Sequence, residues 1–309
     1  PVASPPGTDS KAALPFTPGT YYWVHSGNGS NGNTGLRPEY PVATVDYANG
    51  KCQSGKGDVI VVLPGHAESL ASNTAFVMDT ANVTIVGLGV GSARPTFTLT
   101  TANTTRIPVS AINNKIQGCI FIGNFLSIAT CFLLTTAGGF TVDSCAFRDT
   151  SAILGFLSII TTTVTVNADG LTFTNNERQS DATTTPGPAI VIAGTIDRVT
   201  VCGNVVTHTV ANNNVAALIA HGALVVSHLN CGYNYIWSAN TDNGTAAILL
   251  TTSATTGSGQ IYNNYVKIAD AGGVLLITAA AVQYGLFNNY VNGDNGTSGE
   301  LVPDAGSNA

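Results

Sequence analysis

The 309-residue sequence has little charge, one methionine, two tryptophans and no long apolar run. Only 9% of the residues are charged, and the eleven lysines and arginines are scattered singly along a chain of formal net charge −6. Proteins that bind nucleic acid need a basic stripe, and a membrane helix needs about 20 consecutive apolar residues. The sequence therefore predicts neither a nucleic-acid partner nor a membrane partner.

Uncharged residues make up most of the polar part of the sequence. Hydrophobic residues account for 44% of the chain and the mean hydropathy is +0.24, while Thr, Asn, Ser and Gly replace Lys and Glu. A surface of this composition is poorly protected by charge against association. We therefore expect the chain to bind copies of itself, as a homotrimer, or a second protein in a larger particle.

The cysteines show no C-x-x-C pair and no zinc-binding spacing. Four of the six fall on predicted strands, where a small buried hydrophobic side chain is required. The first residues, PVASPPGTDS, contain no recognisable secretory leader. We predict six free thiols in a protein that is assembled in a reducing cytoplasm. The six are Cys52, Cys119, Cys131, Cys145, Cys202 and Cys231.

A loose internal repeat dominates the chain. Eight short segments share an alternating apolar run that ends in a small or amide residue and restarts with an apolar pair, and their anchors lie 25 to 32 residues apart. A period of this length is typical of a solenoid. The anchors are Gly87, Cys119, Cys145, Asn176, Asn204, Asn234, Asn264 and Asn289.

A second apolar run precedes several anchors, such as PAIVIAG before VTVCGN and AAILL before GQIYNNY. These runs are short, rich in Val, Ile and Leu, and bounded by Gly, Asn, Thr and Ser, which favours strands over helices. Two or three strands in each period of about 29 residues leave no room for a helix. The pattern predicts an all-β parallel β-helix of about eight turns.

Stacking of equivalent positions predicts a ladder of amide side chains. Asn204, Asn234, Asn264 and Asn289 would lie one above another and hydrogen-bond from turn to turn, with Cys145 continuing the column below. The alternative is that Asn is simply frequent in turns, because it tolerates left-handed backbone and bonds its own main chain.

Four segments are expected along the chain. Residues 1–19 contain five prolines and form an extended arm, in which Leu14 and Phe16 are apolar anchors for docking. Residues 20–70 form an N-terminal cap with a strand at 21–24, a short helix within 41–52 and a strong strand in GDVIVVLPG, because the open end of a solenoid must be covered. Residues 71–291 form the β-helix and residues 292–309 a tail.

Carboxylates are sparse, and the only local concentration joins Asp149 to Glu177 and Asp181, one turn apart. On adjacent turns these side chains could meet on one face, as a polysaccharide-cleaving site requires. Their alternation with Arg148 and Arg178 makes a solvated ladder of ion pairs at least as natural. We therefore assign no catalytic, metal-binding or cofactor-binding residue, expect no cofactor, and keep the three carboxylates as a weak candidate cluster.

Aromatic residues concentrate in the last three turns. Strand alternation would point some of them outward, where they could stack on sugars or pack against a neighbouring subunit, and we prefer the second interpretation. The candidate contact residues are Tyr233, Tyr235, Trp237, Tyr262 and Tyr265.

The lead-in YYWVHSGNGSNGNTG with GKGDVIVVLPGHAESL, followed by NVTIVGLGVGSARPTFTLTT, resembles phage-encoded right-handed parallel β-helix proteins of the pectate-lyase-like superfamily. The resemblance covers roughly residues 20–291 and implies a right-handed coil in a virion protein. With so short an arm we expect a capsid decoration or cement subunit that binds the major capsid protein or another virion protein. The alternative is a tailspike-like receptor-binding protein or polysaccharide depolymerase that binds a cell-surface glycan.

Overall fold

The computed structural model describes residues 14–164, 167–181, 187–209, 216–221, 225–239, 246–250, 257–269, 274–278, 283–293 and 298–300. In these residues the chain is a parallel β-solenoid with three long sheets and one short α-helix. The prediction of an all-β coil is thereby confirmed. None of the described helices is long and apolar enough to cross a membrane.

The strands, numbered in chain order, recur in the three sheets in the same sequence, and each pairs in parallel with its equivalent one turn away. The first sheet contains β1 (Tyr21–Val24), β2 (Val59–Val62), β4 (Thr84–Gly87), β7 (Lys115–Gln117), β10 (Thr141–Asp143), β13 (Thr172–Thr174), β17 (Thr200–Cys202), β21 (Leu229–Gly232), β24 (Ser258–Tyr262) and β27 (Gln283–Phe287).

The second sheet contains β3 (Ala67–Leu70), β5 (Thr96–Leu99), β8 (Ile120–Gly123), β11 (Ala146–Asp149), β14 (Glu177–Ser180), β18 (Val205–His208), β22 (Tyr235–Ser238), β25 (Tyr265–Ile268), β28 (Tyr290–Gly293) and, antiparallel at its end, β29 (Ser298–Glu300). The third contains β6 (Ile107–Val109), β9 (Phe132–Leu134), β12 (Ile160–Thr162), β15 (Ile190–Ile192), β19 (Ala216–His221), β23 (Ala246–Leu250) and β26 (Val274–Thr278), and the short β16 (Ile196–Asp197) and β20 (Val226–Ser227) pair separately.

The described part of the third sheet has seven strands, so complete three-strand turns are slightly fewer than the eight predicted. The difference arises at the two ends, where the first and second sheets have additional strands without an equivalent in the third. The right-handed sense of the coil stays a prediction.

The predicted asparagine ladder is confirmed at the corner between the first and second sheets. The Asn234 Oδ1 atom accepts hydrogen bonds from the backbone N and the Nδ2 atom of Asn204, at 3.0 and 2.9 Å, and Asn264 and Asn289 repeat the pattern one turn further on. At the other end of the ladder, Asn176 Oδ1 accepts a hydrogen bond from the backbone N of Cys145. The cysteine therefore continues the column as predicted. All the ladder amides are buried.

Left-handed backbone produces this corner. The residue just before each ladder position has a positive φ, and it is glycine in only some turns, for example Gly118 and Gly203. Elsewhere a side chain occupies the strained position, as in Tyr233 with φ 58°. The kink ends the first-sheet strand and turns the next side chain into the core, where its amide must find partners.

The core of the N-terminal turns contains a stack of phenylalanine rings. Phe97, Phe121 and Phe147 are register partners on successive strands of the second sheet, and their ring centroids lie 5.4 and 5.3 Å apart. Phe132 of the third sheet meets Phe121 edge-on at 5.1 Å. Such pairs add to the free energy gained by burying the rings.

The lead-in follows the predicted elements. Strands β1 and β2 lie where they were expected, and the helix is α1 (Val45–Asn49), whose first turn is capped by Thr44 through a hydrogen bond from the backbone N of Tyr47. Val45 and Ala48 are fully buried. That α1 serves to close the end of the coil stays a prediction.

Candidate functional site

A ladder of tyrosines runs along the outside of the second sheet. Tyr235, Tyr265 and Tyr290 begin three successive strands, and their ring centroids are 5.2 Å apart with interplanar angles of 3° and 13°. All three side chains are exposed. Because the first residue of each strand points away from the core, the repeat places identical rings one above another.

A second group of rings lies beside this ladder, at the corner between the first and second sheets. Tyr233 meets Tyr262 edge to face at 5.4 Å, and Phe287 is the register partner of Tyr262 on the next strand. Trp237 lies two residues beyond Tyr235 and pairs in register with Lys267. We call these rings and the ladder together the aromatic surface.

The arrangement of the rings limits what the aromatic surface can bind. Tyr265 has a parallel ring on each side, and one ring of the Tyr233–Tyr262 pair meets the face of the other with its edge. Sugars stack on the open face of an aromatic ring. Tyr265 instead presents its ring edge and phenol group outward, which suits contact with another protein better than stacking on a glycan.

The carboxylates that sequence analysis grouped have different partners. Glu177 is exposed and forms an ion pair with Arg148 on the preceding turn, at 2.6 Å. Asp181 accepts hydrogen bonds from Thr209 at 2.5 Å and Gln179 at 3.1 Å. Asp149 is partly exposed. Glu177 is the register partner of Ala146, three residues before Asp149, so the two carboxylates are not level on their adjacent strands.

Asp149, which is partly exposed, belongs to a polar cluster on the second sheet. Its carboxylate accepts hydrogen bonds from Ser180 Oγ at 2.7 Å and from the backbone N of Phe156 at 3.1 Å. Arg178, fully buried, donates to the carbonyl groups of Gly187, Phe156 and Leu157. Burial raises the pKa of Asp149 and lowers that of Arg178 to about 10.

His208 completes this cluster. It is the register partner of Ser180, and it is 1% exposed with neither ring nitrogen hydrogen-bonded. Burial, with a smaller effect of the Arg178 charge, holds the pKa of His208 well below its ordinary value. Arg178 and His208 are buried, so the partly exposed Asp149 is the one ionisable group of this cluster that solvent reaches.

A second histidine forms a surface pair that sequence analysis missed. His228 Nδ1 lies 2.6 Å from Asp197 Oδ1, and Arg198 pairs with the same carboxylate. The hydrogen bond from His228 is the main reason that the pKa of Asp197 is lowered. His228 lines a shallow groove of about 470 Å³ together with Asn230 and Ser258. Asp197 and His228 are 31 residues apart, which is one turn of the repeat, and this spacing would have allowed the pair to be predicted from the sequence.

The two arm residues lie in different environments. Leu14 packs against an apolar cluster of Val59, Val61 and Val86 on the outside of the first sheet. Phe16 is 98% exposed. Residues 1–13, 294–297 and 301–309, which contain most of the predicted arm and tail, lie outside the described residues. Docking through the arm stays a prediction, in which Phe16 is the residue available to a partner.

The cysteines are unpaired, as expected, and four of them are buried. Burial raises the pKa of Cys145 to about 12 and raises that of Cys119, Cys131 and Cys231 as well. These thiols are poor nucleophiles and poor metal ligands. Within the described residues, no group of three or more His, Cys, Asp or Glu side chains is placed to hold a metal ion.

No protein-family model matches the sequence, and no curated protein matches it. Among solved structures, a rhamnogalacturonan lyase is similar over 92% of this chain and 90% of its own, with a TM-score of 0.46 and 14% identity. The GH136 lacto-N-biosidase from Eubacterium ramulus is similar over 88% of this chain and 68% of its own, with a TM-score of 0.34 and 12% identity. Similarities at this level carry no information about activity.

Proposed function

We propose that the protein is a structural component of a virion, a decoration or cement subunit on the outer shell, and that the aromatic surface binds the major capsid protein or another virion protein. The observation that carries the proposal is the mutual stacking of the exposed tyrosines. Rings that cover one another are rigid and present their edges and phenol groups outward, as side chains in protein interfaces do.

The surroundings of the aromatic surface support a protein partner. Val205, one turn before Tyr235 in the same column, is also exposed, so an apolar side chain extends the tyrosine ladder toward the N-terminal turns. Lys267 is the one charged residue on β22, β25 and β28, the strands that carry the ladder. Large aromatic residues with few charges are the composition of an interface core.

The test replaces Tyr235 and Tyr265 together by serine. We expect at least a tenfold lower ratio of this protein to the major capsid protein in purified virions, because the stacked pair would contribute most of the contact. The Tyr40→Ser variant removes an exposed tyrosine near the N-terminus and should leave the ratio unchanged. Normal incorporation of the double variant would contradict the proposal.

Asp197 and His228 favour a second candidate function, cleavage of a surface polysaccharide. A histidine oriented by a carboxylate at the edge of a groove can exchange protons with a bound substrate. Incubation with host capsule or lipopolysaccharide would then release new reducing ends or unsaturated sugars, and His228→Gln would abolish that release. Activity of this kind would favour the depolymerase over the structural subunit.

A further inference from the structure

The third sheet differs from the other two in charge. Its seven strands contain no Asp, Glu, Lys or Arg, whereas the second sheet contains charged residues on several strands, among them Arg148, Glu177 and Lys267. The first sheet contains Lys115 and Asp143. The third sheet is therefore the one long sheet whose described strands contain no charged residue, and the first sheet contains few.

The centre of this sheet is a column of mostly apolar residues that face outward. In the short strands the middle residue is partly exposed while its two neighbours are buried, as for Leu133 in β9 and Val191 in β15. Thr161 lies between them in register, and Ala220 follows.

Exposed apolar residues flank the same sheet. Leu126 is 49% exposed and Ile153 is 55% exposed, and they lie in the segments that lead into β9 and β12. Val164, just beyond β12, is 65% exposed. The first sheet offers a contrast, because the outward position on its equivalent strands is occupied by threonine in Thr141, Thr172 and Thr200.

We propose that the outer face of the third sheet is the interface between copies of this chain in solution. Uncharged side chains recur on the strands of this sheet, so two such faces can pack together without unpaired charges. The same face has no charged side chain that could form an ion pair with a charged partner. It runs along the coil, so copies bury it fully only when their solenoid axes lie side by side. Apolar faces of this kind are the usual contacts of homo-oligomers.

The third sheet is long enough for a contact that runs along the coil. Seven strands about 4.8 Å apart extend over roughly 30 Å along the axis. A standard interface buries roughly 800 Å² per partner, so the contact also needs the exposed side chains beside the sheet, among them Leu126, Ile153 and Val164. The inference does not depend on the proposed virion role, because self-association would serve a decoration subunit and a depolymerase equally.

Light scattering and sedimentation of the full chain test the proposal. The wild type should have a mass that is a multiple of 31.6 kDa at micromolar concentration. Val191→Lys, with the charge at the centre of the face, should shift the dissociation constant at least a hundredfold toward monomer. Thr172→Lys, the matched control at an outward position of the first sheet, should leave the mass unchanged.

Three outcomes would overturn the inference. They are a monomeric wild type, a Val191→Lys variant that keeps the wild-type mass, and dissociation by both lysine variants alike. Circular dichroism checks that each variant is folded, and Leu133→Thr, which adds no charge, should weaken association less than Val191→Lys does. The variant in which Tyr235 and Tyr265 are both replaced by serine should keep the wild-type mass. If it alone dissociates, the contact between copies lies on the aromatic surface and not on the third sheet.

Discussion

The N-terminal and C-terminal halves of the solenoid follow the same backbone path but stack different side chains. In the N-terminal half the inward column of the second sheet contains the rings of Phe97, Phe121 and Phe147. In the C-terminal half the column continues through Arg178 to Val206 and further aliphatic residues, and the stacked rings lie outside, in the tyrosine ladder. The corner column changes at the same turn, from cysteine to asparagine.

This exchange shows what a parallel coil requires of its sequence. The backbone fixes where each column of side chains lies. A residue type is stable in a column when its side chain interacts favourably with the same residue type one turn away. Rings do so in the core, amides at the corner, and tyrosines on the surface. In the C-terminal half the stacked tyrosines lie outside, while asparagine amides and aliphatic residues fill the inward columns described above, and we expect binding at the tyrosines.

The largest effect is expected from breaking the phenylalanine stack. Phe121 is fully buried and meets rings on both sides and from the third sheet, so Phe121→Ala should lower the free energy of unfolding by about 3–5 kcal/mol. Denaturant unfolding measures the change, and Phe287→Ala, at an exposed ring, is the control. Hydrogen exchange should accelerate mainly in the N-terminal turns. Equal acceleration throughout would mean that the halves do not differ.

A smaller loss is expected from breaking the amide ladder. Asn234→Ala removes the acceptor of two Asn204 donors and the donor to the Val201 carbonyl, all buried. Unpaired buried groups of this kind lower stability by about 1–3 kcal/mol each, and partial relaxation should give a total of about 2–4 kcal/mol. Asn230→Ala, at an exposed position of the first sheet, should have almost no effect in the same denaturant titration. Faster exchange should appear in the C-terminal turns.

Much of this architecture was predictable because the repeat is visible in the sequence. The anchors fix the register, so the ladder from Cys145 to Asn289 follows directly from equal spacing. The candidate site was harder. Grouping Asp149 with Glu177 as residues of adjacent turns overlooked the register, which pairs Glu177 with Ala146 instead. The Asp197–His228 pair required the one-turn spacing to be applied to every polar residue. The packing of Leu14 on Val59 leaves no periodic signal at all.

The smallest effect is expected at the boundary between the halves, where His208 lies buried beside Arg178. The pKa of His208 is lowered in the folded protein, so below the ordinary histidine value of about 6.5 the unfolded chain takes up a proton that the folded chain does not. The contribution of His208 is therefore complete above about pH 6.5, and stability should fall by up to about 1.4 kcal/mol per pH unit on acidification.

Two other groups with shifted pKa values add to the pH dependence of stability. Burial also lowers the pKa of His221, which adds a slope of the same sign. The raised pKa of Asp149 acts oppositely, since its contribution is complete below about pH 3.9 and is lost as the pH rises through its folded value. The difference between wild type and His208→Leu, measured as unfolding free energy at pH 7.5, 6.5 and 5.5, isolates the histidine. If both proteins lose stability with the same slope, His208 is protonated as readily in the folded protein as in the unfolded chain, and the turn at Arg178 is open to water.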